Sequence, residues 1–149
     1  MERLTALISK PISWLLGEHH ALVHGALCTA IFFGSKGYSW RNIRALVQQI
    51  AHETGWGTSN SVEVDNNLWG MNCVSIRETT QNGCRETNSG EVLGTYSSRW
   101  DSVRDRYMWD DYWGYTDNRK SANYMETISQ RYHTSPNYSG SVLSVDEAR

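Results

Sequence analysis

Glu53 stands three positions after Ile50 and seven after Leu46, which puts a carboxyl group on the apolar stripe of a helix. There it meets the edge of the core and lies near the negative C-terminal end of the helix dipole. Both surroundings disfavour the ionised form. A carboxyl that keeps its proton near neutral pH suits a general acid, because it has a proton to give to a leaving oxygen such as that of a glycosidic bond. The other reading is a glutamate that turns out to solvent at the helix end, capped by loop amides. Periodicity alone does not separate the two. Further carboxylates follow at Glu63 and Asp65 on the next loop, then at Glu78, Glu86 and Glu91 in a polar stretch.

Aromatic usage points the same way. Seven Trp and eight Tyr against two Phe is a bias towards rings with a flat apolar face and a polar handle, which serve in wet clefts as well as in cores. As a group they lean towards a carbohydrate groove. A net charge of -2 lacks the basic face of a general nucleic-acid binder, so no nucleic acid is expected as partner. Of three cysteines, Cys73 and Cys84 flank a short polar stretch and could close a hairpin in an oxidising compartment, while Cys28 lies in an apolar run as a small buried hydrophobe. His19, His20 and His24 have no Cys or acidic partner at zinc-site spacing, so no metal and no cofactor is expected.

The positioning elements follow from pattern. Length and composition, with 39% hydrophobic and 20% charged residues in 149, suit one domain with a single core. Residues 1–38 read as two short helical segments about Gly17, with a loop at Gly34–Gly37. Leu4 to Ile8 is broken by Lys10 and Pro11 and makes a poor signal-peptide core. Ala21 to Phe33 falls short of the ~20 residues that span a bilayer; it reads as a buried helix, with an interfacial membrane contact as the alternative. The strongest helix starts from Ser39 as N-cap, runs through Ile43, Leu46, Val47 and Ile50, and ends at Gly55 and Gly57. From Thr58 to Ser97 loops and a small β-hairpin are expected, with Val74–Ile76 and Val92–Leu93 as its apolar pieces. Ser98 and Asp101 form a capping box for a helix with Trp100, Val103 and Tyr107 on one face. A last helix covers about 119–132 through Met125, Ile128 and Tyr132, exits at Pro136, and leaves a loose tail after Tyr138.

Four segments in order carry a family resemblance. His52-Glu53-Thr54-Gly55-Trp56-Gly57-Thr58-Ser59 and Asn67-Leu68-Trp69-Gly70-Met71 are similar to the Glu-Ser-Gly-Trp-Gly-x-Ser and Asn-Leu-Phe-Gly-Ile of the glucosaminidases, glycoside hydrolase family 73. Tyr96 to Val103 resembles the family's Tyr-x-Ser-x-x-x-Ser, and Tyr132-His133-Thr134-Ser135-Pro136-Asn137-Tyr138 its Tyr-Ala-Thr-Asp-Pro-x-Tyr. Thr54 keeps the hydroxyl of the usual Ser; Ser135 loses the charge of the usual Asp.

The resemblance implies an α+β, mainly helical, lysozyme-like fold, with a helical lobe and a small β-hairpin lobe around a cleft and residues 39–140 as the core. It implies cleavage of the β-1,4 bond after N-acetylglucosamine in peptidoglycan glycan strands. Glu53 matches the proton donor and Tyr132 a tyrosine near the reaction centre. Through an oxocarbenium-like transition state, one protonated acid works with a second carboxylate or the substrate's acetamido group. Glu86 fits the second carboxylate by its place near a hairpin turn, with Glu78 behind it. Trp69 and Trp56 are candidates for stacking on sugars, Trp56 equally for a structural wedge, and Asn67 and Tyr138 complete the substrate-binding set. A lytic transglycosylase, or a non-catalytic wall-binding or virion protein, are the competing readings. Without a wall-binding repeat the expected setting is a phage lysin acting in the wall or periplasm, with virion or membrane contact through the N-terminal segment.

Overall fold

Helices carry most of the structure and one short hairpin carries the rest, as the expected α+β class requires. The computed structural model describes residues 19–55, 57, 59–133 and 137–143, so the expectations for the segment around Gly17, for Trp56 and for the exit at Pro136 lie outside the described residues. In chain order the elements are α1 (His20–Ser35), α2 (Trp40–Thr54), a single helical turn α3 (Asn60–Glu63), strands β1 (Gly83–Glu86) and β2 (Val92–Thr95), α4 (Arg99–Tyr112), a 3-10 turn (Tyr115–Asn118), α5 (Tyr124–Tyr132) and α6 (Tyr138–Leu143).

α2 forms where its stripe and caps demand. The Ser39 hydroxyl accepts from the Asn42 amide at 3.2 Å, and Leu46 and Ile50 are fully buried beneath it. Gly55 stops the helix in the left-handed region and returns its N–H to the Ala51 carbonyl. α1 packs across α2 and α4, burying Ala21, Leu22, Cys28 and Phe33, while Leu27 and Ile31 face outward. The buried-helix reading of Ala21–Phe33 thus holds for one face, and none of the described helices is long and apolar enough to cross a membrane. Burial pushes the Cys28 thiol up, as for a hydrophobe-like cysteine. At Gly57, φ is +84° and a Cβ would fall 2.9 Å from the Leu22 backbone nitrogen, so only glycine lets the loop after α2 close on α1.

Two buried aspartates on α4 fasten the other elements to it. Asp110 accepts from the Tyr38 hydroxyl at 2.6 Å, from the Tyr124 hydroxyl and from the Arg106 guanidinium, and both members of the Arg106–Asp110 pair are fully buried. Burial, then the charge of Asp110, pushes the Tyr38 phenol far up, which keeps it a donor. Asp105 accepts from Arg77 at 2.7 and 3.3 Å, from the Thr79 hydroxyl at 2.7 Å and from the Tyr96 hydroxyl at 2.5 Å. The first set ties the α1–α2 turn and α5 to α4, and the second ties down the segment before β1.

The caps and faces of α4 follow expectation in outline. Ser98 accepts from the Asp101 amide at 3.1 Å, although the Asp101 carboxylate answers the Ser98 hydroxyl at 3.1 Å instead of a backbone N–H. Trp100 and Tyr107 meet Phe32 of α1 edge-on, at 5.6 Å each, beside buried Val103.

Elsewhere the structure departs from expectation. The last long helix starts at Tyr124 instead of near Arg119, because the Asn42 side chain takes the carbonyls of Arg119 and Ser121, each at 2.9 Å, and holds that stretch outside helical geometry. Residues 138–143 form α6 where a loose tail was expected, since Tyr138 and Val142 are buried against α2. Val74–Ile76 is no strand, and Ile76 is exposed.

Asp110→Ala strands the Arg106 charge in the core and is expected to cost about 3–5 kcal/mol in urea denaturation; a loss below ~1 kcal/mol would mean the network does not hold these elements.

Candidate active site

The last turn of α2 brings Glu53 to the wall of a cleft of about 870 Å³ between the helices and the hairpin. Thr54, next to it, uses its hydroxyl twice: it donates to the Ile50 carbonyl at 2.6 Å and accepts from the Gly57 amide at 2.9 Å. This clip sets where the chain leaves the helix, and with it the direction of Glu53. The Glu53 side chain is half-buried, and its Oε1 accepts from the Tyr138 hydroxyl. The Tyr138 oxygen in turn accepts from the Gln49 amide at 3.1 Å, so its proton is directed at Glu53. Burial, and then the Glu53 carboxylate, pushes the Tyr138 phenol up, so it stays a neutral donor. Its ring is stacked with those of His133 and Tyr132, at 4.9 and 6.0 Å.

The other carboxyl oxygen faces bare backbone. Gly70 has φ +63°, and a Cβ there would sit 3.7 Å from Glu53 Oε2, so the glycine both makes the turn and leaves space beside the acid. Tyr132 lines the cleft, and its hydroxyl donates to the Trp69 carbonyl just before that glycine. The guanidinium of Arg106 lies 5.3 Å from the centre of the Tyr132 ring, which links the cleft wall to the Asp110 network.

The hairpin supplies the opposite wall. β1 and β2 are antiparallel, with Arg85 opposite Leu93 and Glu86 opposite Val92. Arg85 and Leu93 face the cleft, and Arg85 Nε donates to Asp65 at 2.7 Å, fastening the hairpin to the loop after α3. Cys73 and Cys84 are joined as a disulfide, which anchors β1 to the strand-like segment at Asn72.

Several expected site residues take other places. Trp69 is fully buried, its indole N–H donating to the Leu46 carbonyl at 3.1 Å, so no ring face is left for a sugar. Asn67 is buried too. It donates to the carbonyls of Met71 and Gly94 and accepts from the Met71 amide, each at 2.9 Å, and so ties the Gly70 turn to the hairpin instead of touching substrate. Tyr138 reaches the cleft only through its bond to Glu53; the residue is 2% exposed, so its ring has no open face for a sugar. Glu86 is exposed and outside the cleft lining, as is Glu78.

The carboxylate on the hairpin wall is Glu91. Side chains alternate along a strand, so Leu93 as the inward apolar residue places Glu91, two before it, on the cleft side. The same count puts Glu86, beside inward Arg85, on the outer face. That signal was present in the sequence. Gln49 carried none, since its role comes from Tyr138, distant in the chain; Gly70 stood in the second motif with no role read for it. Among the described residues no three His, Cys, Asp or Glu side chains cluster closely enough to hold a metal ion.

Comparisons with known proteins agree with this architecture. The Glucosaminidase family, described as mannosyl-glycoprotein endo-beta-N-acetylglucosaminidase, matches residues 35–147, a span that holds Glu53, Gly70, Glu91, Tyr132 and Tyr138. Among solved structures, the chain is similar to the catalytic domain of the autolysin Auto from Listeria monocytogenes, with a TM-score of 0.58 and 16% identity over 99% of this chain and 90% of that one. It is also similar to a chain in a type VI secretion system effector–immunity complex from Pseudomonas protegens, with a TM-score of 0.61 and 11% identity over 87% of this chain and 92% of that one. A search of curated protein sequences found no match. At these identities the structural likeness speaks for the fold.

Replacing Cys73 and Cys84 by Ser opens the loop closed between these positions, 11 apart in sequence, and is expected to lower stability by about 3 kcal/mol. Thermal melts should show the same shift when the parent is treated with a reductant, and an unchanged melting temperature would mean the bridge does not restrain the hairpin.

Proposed function

The chain belongs to the glucosaminidase family, and from that premise we propose that it cleaves the glycan strands of bacterial peptidoglycan as an endo-β-N-acetylglucosaminidase, with Glu53 as proton donor. The observation that carries the reading is the setting of Glu53: one oxygen gripped by Tyr138, the other facing the open side of a cleft over Gly70. In this reading the Glu53 proton passes to the glycosidic oxygen as the bond breaks. Glu91 on the opposite wall meets the positive charge that develops on the sugar ring, or draws a proton from the attacking water. Tyr138 fixes the direction of the acid, and Gln49 fixes Tyr138.

The neighbour described as an autolysin supports a wall polymer as substrate. The Cys73–Cys84 bridge supports action in an oxidising compartment outside the cytoplasm.

The test is release of new reducing ends from purified peptidoglycan, with products identified by mass. The parent is expected to produce reducing N-acetylglucosamine ends, and Glu53→Gln to lose at least ~100-fold in rate, the scale of a general acid's contribution. Tyr138→Phe, which removes the hydrogen bond that directs Glu53, should lose about tenfold while staying folded. An active Glu53→Gln variant would remove Glu53 from its role. Anhydro products would replace hydrolysis by transglycosylation, and silence of the parent on several wall types would favour a binding protein.

A further inference from the structure

Past Gly70 the cleft continues into a second hollow of about 310 Å³, which shares Gly70, Asn72, Arg131 and Tyr132 with the first. The two differ in chemistry. Glu53 and Glu91 line the first, together with Arg85 and the shared Arg131. The lining of the second has no carboxylate, and instead holds the indoles of Trp109 and Trp113 with the guanidinium groups of Arg77 and Arg131. Arg77 is already satisfied, since it is 4% exposed and paired with Asp105. Trp109 is occupied as well, with Arg106 over its ring at 4.7 Å and Tyr115 against it at 5.4 Å.

Arg131 is the exception. Its guanidinium carbon stands 3.7 Å from the centre of the Trp113 ring, and its Nε donates to the Tyr115 hydroxyl at 3.1 Å. Stacking fixes the plane of the group, and the Nε bond fixes its rotation within that plane. Arg131 is exposed, and among the described residues its two terminal nitrogens, four N–H donors in a planar fork, hold no hydrogen bond. Among the described residues no carboxylate pairs with this side chain. A guanidinium held this way has already lost much of its side-chain freedom, so an incoming carboxylate meets a preorganised bidentate partner.

We propose that the Trp113–Arg131 pair is a binding site for the carboxylates of the acidic peptides carried by a peptidoglycan strand, placed beside the cleft so that a branched strand binds more tightly than a bare one. The inference rests on the wall-polymer reading above and deepens it. The two hollows join at Gly70 and Tyr132, next to Glu53, so a strand laid in the first brings its branches to the second. The lining of the second hollow has no carboxylate to repel an incoming one, and Arg131 stands at the junction of the two hollows.

The test compares two soluble glycan preparations from one wall, one bearing its peptides and one stripped of them by an amidase. Binding is measured on the Glu53→Gln chain, so that no strand is cut. The peptide-bearing strands should bind about tenfold tighter, the scale of one charge-assisted bidentate contact. Adding Arg131→Ala should remove that preference, weakening the peptide-bearing strands about tenfold more than the bare ones. Arg131→Lys should recover only part of it, because it keeps the charge and loses the fork. Circular dichroism verifies folding, and if Arg131→Ala fails to fold, Arg131→Lys carries the comparison. Equal affinity for both preparations with Arg131 present overturns the proposal, and so does an equal loss on both when it is removed. Reducing-end release by the chain with Glu53 intact is read separately. If neither preparation is cut yet the preference holds, the hydrolase reading falls and the site stands; if neither is bound, both fall.

Discussion

The buried pair of Arg106 and Asp110 is the constraint on which the rest of the molecule leans. Two opposite charges with no exposure are tolerable only when their lone pairs and N–H groups find partners, as here they do apart from the Arg106 Nε–H, which has none. The partners found are long-range ones. Tyr38 comes from the α1–α2 turn and Tyr124 from the start of α5, while the rings of Trp109 and Tyr132 lie against the guanidinium. Satisfying the pair therefore sets the mutual placement of α1, α2, α4 and α5. Asp105, on the same helix, does the corresponding work for the segment that leads into the hairpin.

The cleft is a by-product of this arrangement. Its helical wall is α2 ending where Thr54 and Gly57 require, with α5 presenting Tyr132 beside it. Its hairpin wall is held by Arg85 on Asp65, by the Cys73–Cys84 bridge and by Asn67, which reaches two carbonyls at once. Glu53 thus stands at a seam between two separately anchored bodies. Its own hydrogen bond comes from a third, α6. Such a setting combines a carboxyl fixed in direction with a side open to the cleft.

How much of this was legible in the sequence depended on how local each cause is. α2 could be read in full, because its stripe, its Ser39 cap and its Gly55 stop all lie within the segment itself. The place of Glu53 in the last turn of that helix was legible for the same reason. Trp69 was misread because a motif gives the order of residues around a turn but not the side of the chain on which each ring lies; the ring went into the core and its carbonyl went to Tyr132. Glu86 was preferred to Glu91 on nearness to the turn, when the alternation fixed by Leu93 was the stronger physical rule. α6 was hidden because nothing within residues 138–143 announces a helix. The reason for it lies in Gln49 and Glu53, which give the Tyr138 hydroxyl a buried place.

The bond from Tyr138 to Glu53 spans 85 residues, and that separation imposes an order in time. A ribosome releases Glu53 long before it adds Tyr138, so a growing chain carries the acid without the group that aims it. The same holds for a chain clipped between α5 and α6, which would keep every residue of the first motif and lose the donor. A copy made or kept only as far as α5 therefore holds the Glu53 carboxyl without its Tyr138 donor.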